Sequence, residues 1–294
     1  MGDPNGIGIE VILKALQPTE GGYTIIGSME AFAYYQKLMG LNKIIDRNHF
    51  VDIGLPIKVQ PGIEDIEAAR AAVASLNKSI EMVKKGELKA IITAPLSKRL
   101  ITKIIPGFIG HTEYLANRFG CDDVAMLGVR GPYRILFYTT HIPLQELFKR
   151  LNPDRIKERI VMLAQVLKRW FGIERPKIMV AGINPHTFEF SRGEEEIIVH
   201  SIDLAREEGI SAEGPMPADA IFQKECDGYL VFYHDQGMIY LKSRPGGSNL
   251  TVGLPCLRGS PLHGTGFDIA GRGRADPISM IETINIVEAT YDRL

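Results

Sequence analysis

Three histidines stand where an α/β sheet would deliver chemistry. His141 follows an apolar run ending in Thr139-Thr140, and His186 follows one ending near Ala181-Gly182, inside Asn184-Pro185-His186. His234 follows Val231-Phe232-Tyr233, inside Tyr233-His234-Asp235-Gln236-Gly237. In an open parallel sheet, ligands bind in the crevice outside the carboxyl ends of the strands. Three neutral imidazoles leaving that edge suit zinc or another divalent ion, with coordination positions left for water or substrate. Taken singly, each is more simply a strand-end or core histidine. Repeated on one edge they are harder to dismiss, although nothing in the spacing forces them to meet. His49 and His200 lack this context and read as surface residues.

Two further places suit an anion. Gly110-His111-Thr112-Glu113 opens a helical stretch, Glu113–Arg118, closed by Gly120. Thr112 is the expected N-cap, and a helix N-terminus offers unpaired N–H groups to phosphate or carboxylate. His111 beside it could add a charge-assisted bond. Downstream of His234, Lys242, Asn249 and Arg258 lie along glycine-rich connections. Lysine and arginine favour carboxylate and phosphate oxygens. Alone, these features read as a capped helix and solvated charges.

These residues need a scaffold, and the chain supplies a pattern for one. Tyr23–Ile26, Ala90–Thr93, Arg134–Thr139, Lys177–Ala181 and Tyr229–Tyr233 read as buried strands. Glu64–Lys85, Asp154–Phe171 and Gly193–Glu208 carry helical periodicity with a charged outer face. Such alternation predicts an α/β protein with a largely parallel sheet covered on both faces. The 294 residues suggest roughly two domains. No linker separates them, so they are expected to share the sheet or interleave. With 45% apolar and 23% charged residues, disorder over most of the chain is excluded. The formal charge of −1 gives no general attraction to nucleic acid or an anionic membrane. Cys121, Cys226 and Cys256 form no CxxC and no even set, which points to a reducing, cytoplasmic compartment. No apolar run is long enough to span a bilayer, and the first residues do not read as a signal peptide. Glycines cluster at both ends, in Gly2–Gly8 before a helical Glu10–Leu16 and in Gly264–Gly273.

In order and spacing, these motifs resemble the 4-hydroxythreonine-4-phosphate dehydrogenase family of pyridoxal phosphate biosynthesis. The resemblance runs through Gly2-Asp3-Pro4, Thr93-Ala94-Pro95, Gly110-His111-Thr112-Glu113, Thr140-His141-Ile142-Pro143-Leu144, Asn184-Pro185-His186, Pro217-Ala218-Asp219, Tyr233-His234-Asp235-Gln236-Gly237 and His263–Gly273. The two glycine-rich ends are also similar to the isopropylmalate and isocitrate dehydrogenases. The resemblance implies two α/β/α lobes of the isopropylmalate dehydrogenase kind with the active-site cleft between them. Residues 1–105 and 255–294 would form lobe one with the NAD-binding loops. Residues 106–254 would form lobe two, with the dimer contacts and the metal-site histidines.

The resemblance also implies roles. A divalent metal, zinc first and magnesium or cobalt as alternatives, would be held by His141, His186 and His234. His111, Thr112, Lys242, Asn249 and Arg258 would meet the substrate's phosphate and carboxylate. NAD, with NADP as an alternative, would lie near His263, Gly264, Thr265 and Asp268. Asp219 and Asp235 are candidate partners of the metal histidines, and Lys242 a candidate proton acceptor. The working unit would be a homodimer sharing the metal site, His141 and His186 from one chain and His234 from the other. The implied reaction is oxidation and decarboxylation of 4-phosphooxy-L-threonine to 3-amino-2-oxopropyl phosphate. A paralogous dehydrogenase of 4-phosphoerythronate or 4-phosphothreonate is the alternative, and a metal-dependent hydrolase a more distant one. Three departures bear on substrate choice and on the sheet. Thr187–Arg192 replaces a usual Ala-Gly-Glu run, Leu262 stands where aspartate is usual, and the strand expected before Gly2-Asp3-Pro4 is missing.

Overall fold

The computed structural model describes residues 1–41 and 44–294, which divide into two compact units. Unit 1 comprises residues 1–124 and 253–287; unit 2 comprises 125–252 and 288–294. Among the described residues, no helix is long and apolar enough to cross a membrane.

Unit 1 begins with α1 (Gly8–Leu16), β1 (Thr24–Gly27), α2 (Met29–Leu38), β2 (His49–Asp52), α3 (Ile66–Lys84), β3 (Ala90–Ile92), α4 (Lys98–Ile104) and α5 (His111–Phe119). Within it β1 pairs with β2 in parallel. Ile9 and Leu13 of α1 and Phe32 and Tyr35 of α2 are wholly buried, in one core with Met280 and Ile284 from the chain's end. Helix α3 starts at Asp65, whose carboxylate accepts from Ala68 N–H, and it buries Ala68, Ala69, Ala71 and Ala72. Leu115 of α5 packs on Leu76 and Ile80 of α3. That contact puts residues 106–124 in unit 1, where the expected boundary had assigned them to the other lobe.

Unit 2 continues with β4 (Ala125–Arg130), β5 (Tyr133–Phe137), α6 (Leu144–Lys149), α7 (Pro153–Phe171), β6 (Lys177–Ala181), α8 (Glu194–Glu207), β7 (Ser211–Met216), β8 (Gly228–Val231), α9 (His234–Lys242) and β9 (Ser248–Val252). β10 (Leu257–Pro261), paired in parallel with β3, and α10 (Ile278–Tyr291) return the chain to unit 1, with residues 288–294 counted in unit 2.

The strands of unit 2 lie in the order β9-β4-β5-β8-β6-β7. β5, β8, β6 and β7 are mutually parallel, as expected. β4 is antiparallel to both of its neighbours. The reason is local: β4 and β5 are joined only by Gly131-Pro132, because Arg130 already pairs with Tyr133, and so short a connection permits only a hairpin. Asn152 caps α7 with Pro153 in its first turn, and Gly172 ends it in the left-handed conformation. Helices cover both faces of this sheet. Ile135 and Phe137 of β5 face α9, whereas Gly228 of β8 faces α7, its missing Cβ lying 2.7 Å from Leu167. Tyr229, beside Gly228 and paired with Ile135, points to the α9 face, as strand alternation requires.

The approach of α9 depends on Gly237, where a Cβ would stand 2.7 Å from two ring atoms of the fully buried Phe137. Overpacking so close to a buried ring costs more than the small helix-propensity gain of valine over glycine. Gly237→Val is expected to lose about 2–3 kcal/mol of stability. The midpoint of denaturant unfolding checks this, and a wild-type midpoint would contradict the close packing.

Candidate active site

The three metal-candidate histidines leave neighbouring parallel strands. His141 lies four residues beyond β5, His186 five beyond β6 and His234 three beyond β8, so all three depart from one carboxyl edge of the unit 2 sheet. His141 and His234 come together, their ring centroids 6.0 Å apart. His186 lies instead against Phe190, with centroids 6.2 Å apart. Among the described residues, no group of three or more His, Cys, Asp or Glu is arranged to hold a metal ion. One chain therefore presents two imidazoles at a spacing suited to a shared ion, with the third turned to a different neighbour. Nδ1 of His234 faces Oδ1 of Asp235 at 2.8 Å, so Nε2 is the ring nitrogen not engaged by this contact. Asp219 is exposed in the loop after β7, at the same sheet edge. Lys242 is the exposed last residue of α9, and Asn249 lies on β9 opposite Gly128 of β4.

Two side chains that the sequence reading missed hold these loops. Gln236 accepts from Phe232 N–H (2.8 Å) and Tyr233 N–H (3.1 Å) and donates to the Gly182 carbonyl (2.9 Å). It ties the His234 loop to the loop that leads to His186. Glu195, fully buried at the start of α8, accepts from Ile183 N–H (3.0 Å), Asn184 N–H (2.9 Å) and the Asn184 side chain (2.8 Å). Beyond this anchor, His186 and Thr187 adopt φ of 54° and 56°. A left-handed, β-branched Thr187 is strained, and such backbone persists only where surrounding bonds hold it. Gln236 had a signal in its motif, but Glu195 was one of three consecutive glutamates at a helix start, where any acidic residue is favourable.

In unit 1 the structure brings His111, Thr112 and Arg258 to the N-terminus of α5. Helix α5 begins at His111 with Gly110 as N-cap, so Thr112 is not the cap but the second helical residue. Gly110 takes the cap position in extended backbone, with Glu113 Oε2 and Lys98 Nζ beside it. Arg258 is 2% exposed and donates from Nη2 to Thr93 Oγ1 at 2.7 Å. Burial pulls its guanidinium down to about 10, while Glu113 pulls the other way, so it remains cationic at neutral pH. Burial, and then the positive charges of Arg258 and Lys98, hold His111 well below its ordinary value. Without an anion beside it His111 is thus neutral at pH 7, and Arg258 supplies a buried fixed charge at this helix end.

The final glycine-rich segment follows β10. His263 Nδ1 lies 3.1 Å from the Gly264 carbonyl, while its buried Nε2 has no hydrogen-bond partner among the described residues. Burial lowers its pKa. The Thr265 carbonyl accepts from Ile7 N–H at 2.8 Å, and Asp268 is exposed. An orphaned buried ring nitrogen in a glycine-rich turn fits a dinucleotide ligand there.

Comparison with known proteins settles the relationship. The family described as Pyridoxal phosphate biosynthetic protein PdxA matches residues 20–287. The chain belongs to the PdxA family. A Chromobacterium violaceum relative named 4-hydroxythreonine-4-phosphate dehydrogenase is 37% identical, covering 98% of this chain and 94% of its own. The crystal structure of the Klebsiella pneumoniae protein of that name superposes with a TM-score of 0.81 at 31% identity, over 99% of this chain and 97% of that one. A Thermococcus kodakarensis β-decarboxylating dehydrogenase matches at 13% identity with a TM-score of 0.55, over 93% and 84% of the two chains, and shares the fold. The α/β fold expected from the resemblance is the one found.

Family motifs also bury charge. Asp3, in the N-terminal Gly2-Asp3-Pro4 stretch, is 1% exposed, its Oδ1 accepting from Asn5 N–H at 3.0 Å and its Oδ2 without a partner among the described residues. Burial raises its pKa to about 6; the Asn5 bond opposes this and the charge of Asp65 adds to it. The folded state therefore holds a proton that the unfolded chain releases near 3.8. Stability from this group is full below that value and is lost as pH rises through about 6. Asp3→Asn keeps the Asn5 bond and removes the titration. Relative to this variant, wild type is expected to lose roughly 2–3 kcal/mol between pH 4 and pH 7. Denaturant unfolding of both proteins across that range checks the slope, and parallel curves would contradict it.

Proposed function

We propose that the chain is an NAD-dependent, divalent-metal-assisted 4-hydroxythreonine-4-phosphate dehydrogenase. It would oxidise 4-phosphooxy-L-threonine and release carbon dioxide to leave 3-amino-2-oxopropyl phosphate. The observation that carries this reading is the pairing of His141 with His234 on the edge that also releases His186, in a chain of this family. When bound, the metal would supply Lewis acidity at the substrate hydroxyl and NAD would accept the hydride.

The chain's own residues do the rest. His141, His186 and His234 would hold the ion, with Asp235 fixing the His234 ring. Arg258 and the N–H groups at the start of α5, with Thr112 and neutral His111, would hold the phosphate away from the reacting carbon. Remote binding of this kind lends its energy to orienting the hydroxyl. Lys242 would take the hydroxyl proton, while Asn249 would contact the substrate and Asp219 support the metal edge. The segment with His263, Gly264, Thr265 and Asp268 would carry NAD.

A second copy of the chain would complete the metal set. The His-bearing edge exposes Leu144, Phe148, Phe188, Phe190 and Ile239, each in the element that follows or contains one of the three histidines. Large apolar side chains clustered this way suit a protein partner, and a two-fold dimer would create two equivalent composite sites.

An NADH assay over 4-phosphooxy-L-threonine, 4-phosphoerythronate and 4-phosphothreonate, with and without divalent ion, tests the reaction. Turnover is expected to be highest with the first and to require the ion. Preference for another acid selects the paralogous reading, and hydrolysis without NADH formation selects a hydrolase. Pairing inactive variants tests the shared site. If His234 crosses to the partner, mixing His141→Ala with His234→Ala dimers restores about a quarter of wild-type activity, by two-fold counting. If His186 is the crossing ligand, as the proximity of His141 and His234 favours, His141→Ala with His186→Ala does so instead. Subunit exchange without recovery in either mixture would reject sharing.

A further inference from the structure

We propose that Glu10 and Lys14 of α1 are positioning residues for the dinucleotide: they clamp the 265–275 loop in its binding shape. This rests on the reading of that loop as the NAD segment.

Glu10 is wholly buried, and a carboxylate there is costly unless it is paired and hydrogen-bonded. Lys14 lies one turn on, its Nζ 2.8 Å from Glu10 Oε1, in the favourable Glu-before-Lys order. Lys14 Nζ also donates to the Gly273 carbonyl at 2.9 Å and the Ala275 carbonyl at 2.7 Å. Its three donors are thereby used. Glu10 Oε1 accepts in addition from Ala275 N–H at 2.8 Å. The ion pair is therefore shared between α1 and the far end of the loop.

The near end is fastened to the same stretch of chain. Ile7 N–H donates to the Thr265 carbonyl at 2.8 Å, and a Cβ on Gly6 would stand 2.7 Å from that oxygen. The loop's middle rests on residues 61–62: a Cβ on Gly271 would lie 2.6 Å from Pro61, and one on Gly62 2.9 Å from the Phe267 carbonyl. Between the fastenings, Gly266, Gly271 and Gly273 have φ of 52°, 72° and 66°. Three left-handed glycines leave the backbone many alternatives once untied. Gly264, Asp268, Arg272, Gly273 and Arg274 are exposed, and the loop's apolar anchorage is small: Ala270 and Ala275 are buried in the unit 1 core and Ile269 packs against it. Its shape is imposed by what it is tied to. A loop docked only part of the time weakens ligand binding by the fraction docked.

The test uses the full-length protein with its metal. Lys14→Met keeps most of the stem and removes the three donors; Glu10→Gln removes the charge, and Lys14→Arg restores donors. Trypsin cleavage after Arg272 and Arg274 reads loop release, calorimetry with NAD reads cofactor affinity, and the Kd for inorganic phosphate reads the His111–Arg258 region. Lys14→Met is expected to speed cleavage and to weaken NAD about tenfold, with phosphate affinity unchanged and Lys14→Arg close to wild type. Glu10→Gln should shift in the same direction, and it serves as the test if Lys14→Met fails to fold. Unchanged cleavage overturns the clamp. Faster cleavage with unchanged NAD affinity overturns its role for the cofactor. Equal loss of NAD and phosphate affinity marks general destabilisation and overturns positioning. If wild type binds no NAD, the cofactor reading and this inference fall together, while the cleavage rates still report whether the clamp exists.

Discussion

Side-by-side parallel pairing of β5, β8 and β6 fixes where the histidines of unit 2 can stand. Parallel strands end on the same edge, so any residue a few positions beyond each strand enters the same strip of space. Both faces of these strands are buried, through Ile135 and Leu136, Leu230 and Val231, and Val180 and Ala181, so the strands are held in register by packing against helices on either side. The core thereby sets the height at which each loop begins, and only the short loops remain to be shaped. Gln236 links two of them directly, since one side chain satisfies the end of β8 and the carbonyl after β6. A change in either loop is felt by both histidines.

Buried carboxylates do the corresponding work in both units. Glu195 and Glu10 have no solvent exposure; Glu195 accepts from two backbone N–H groups and the Asn184 side chain of the loop before His186, and Glu10 from Ala275 N–H and the Lys14 ammonium. Such a bond to an ionised acceptor is stronger than its neutral counterpart, and leaving the carboxylate without partners would be severely destabilising. The loops are therefore held where they have little apolar surface of their own. Strain at His186 and Thr187 is tolerated on the same grounds, because Glu195 and Asn184 secure the residues just before them.

Much of this was legible in the sequence. Strand β6 occurs at the expected residues, and α3, α7 and α8 lie within a residue or two of their expected bounds, because long amphipathic stretches and β-rich runs state their period plainly. The exit of three histidines on one edge followed from strand order alone. Strands β2, β4, β7, β9 and β10 were harder to see: Ser211–Met216 and Leu257–Pro261 contain glycine and proline, and pair only because neighbours present an edge. The cap of α5 was misassigned because threonine and glycine are about equally favoured as caps and only threonine announces itself by a side-chain acceptor, whereas here Gly110 leaves room for Glu113 and Lys98. Glu195, and the loop contacts of the i,i+4 pair Glu10–Lys14, were invisible, since those partners are backbone groups that no sequence pattern announces.

The electrostatics of the α5 end would favour an anion there. A guanidinium that is 2% exposed, its pKa pulled down to about 10 by burial against the opposing pull of Glu113, holds its charge at a cost. The same burial, reinforced by Arg258 and Lys98, keeps His111 neutral, so the site does not add a second buried cation to the first. An incoming phosphate reverses both conditions. Its charge would stabilise the Arg258 guanidinium, and it would raise the proton affinity of His111. Binding and proton uptake at His111 are then linked: phosphate affinity should increase as pH falls toward the raised value of the occupied site. The N–H groups at the start of α5 act in the same direction without titrating. A buried fixed cation, an inducible cation and a helix end would hold a phosphate monoanion or dianion with donors already in place. Glu113 and the Thr93 hydroxyl help to accommodate the buried Arg258 charge.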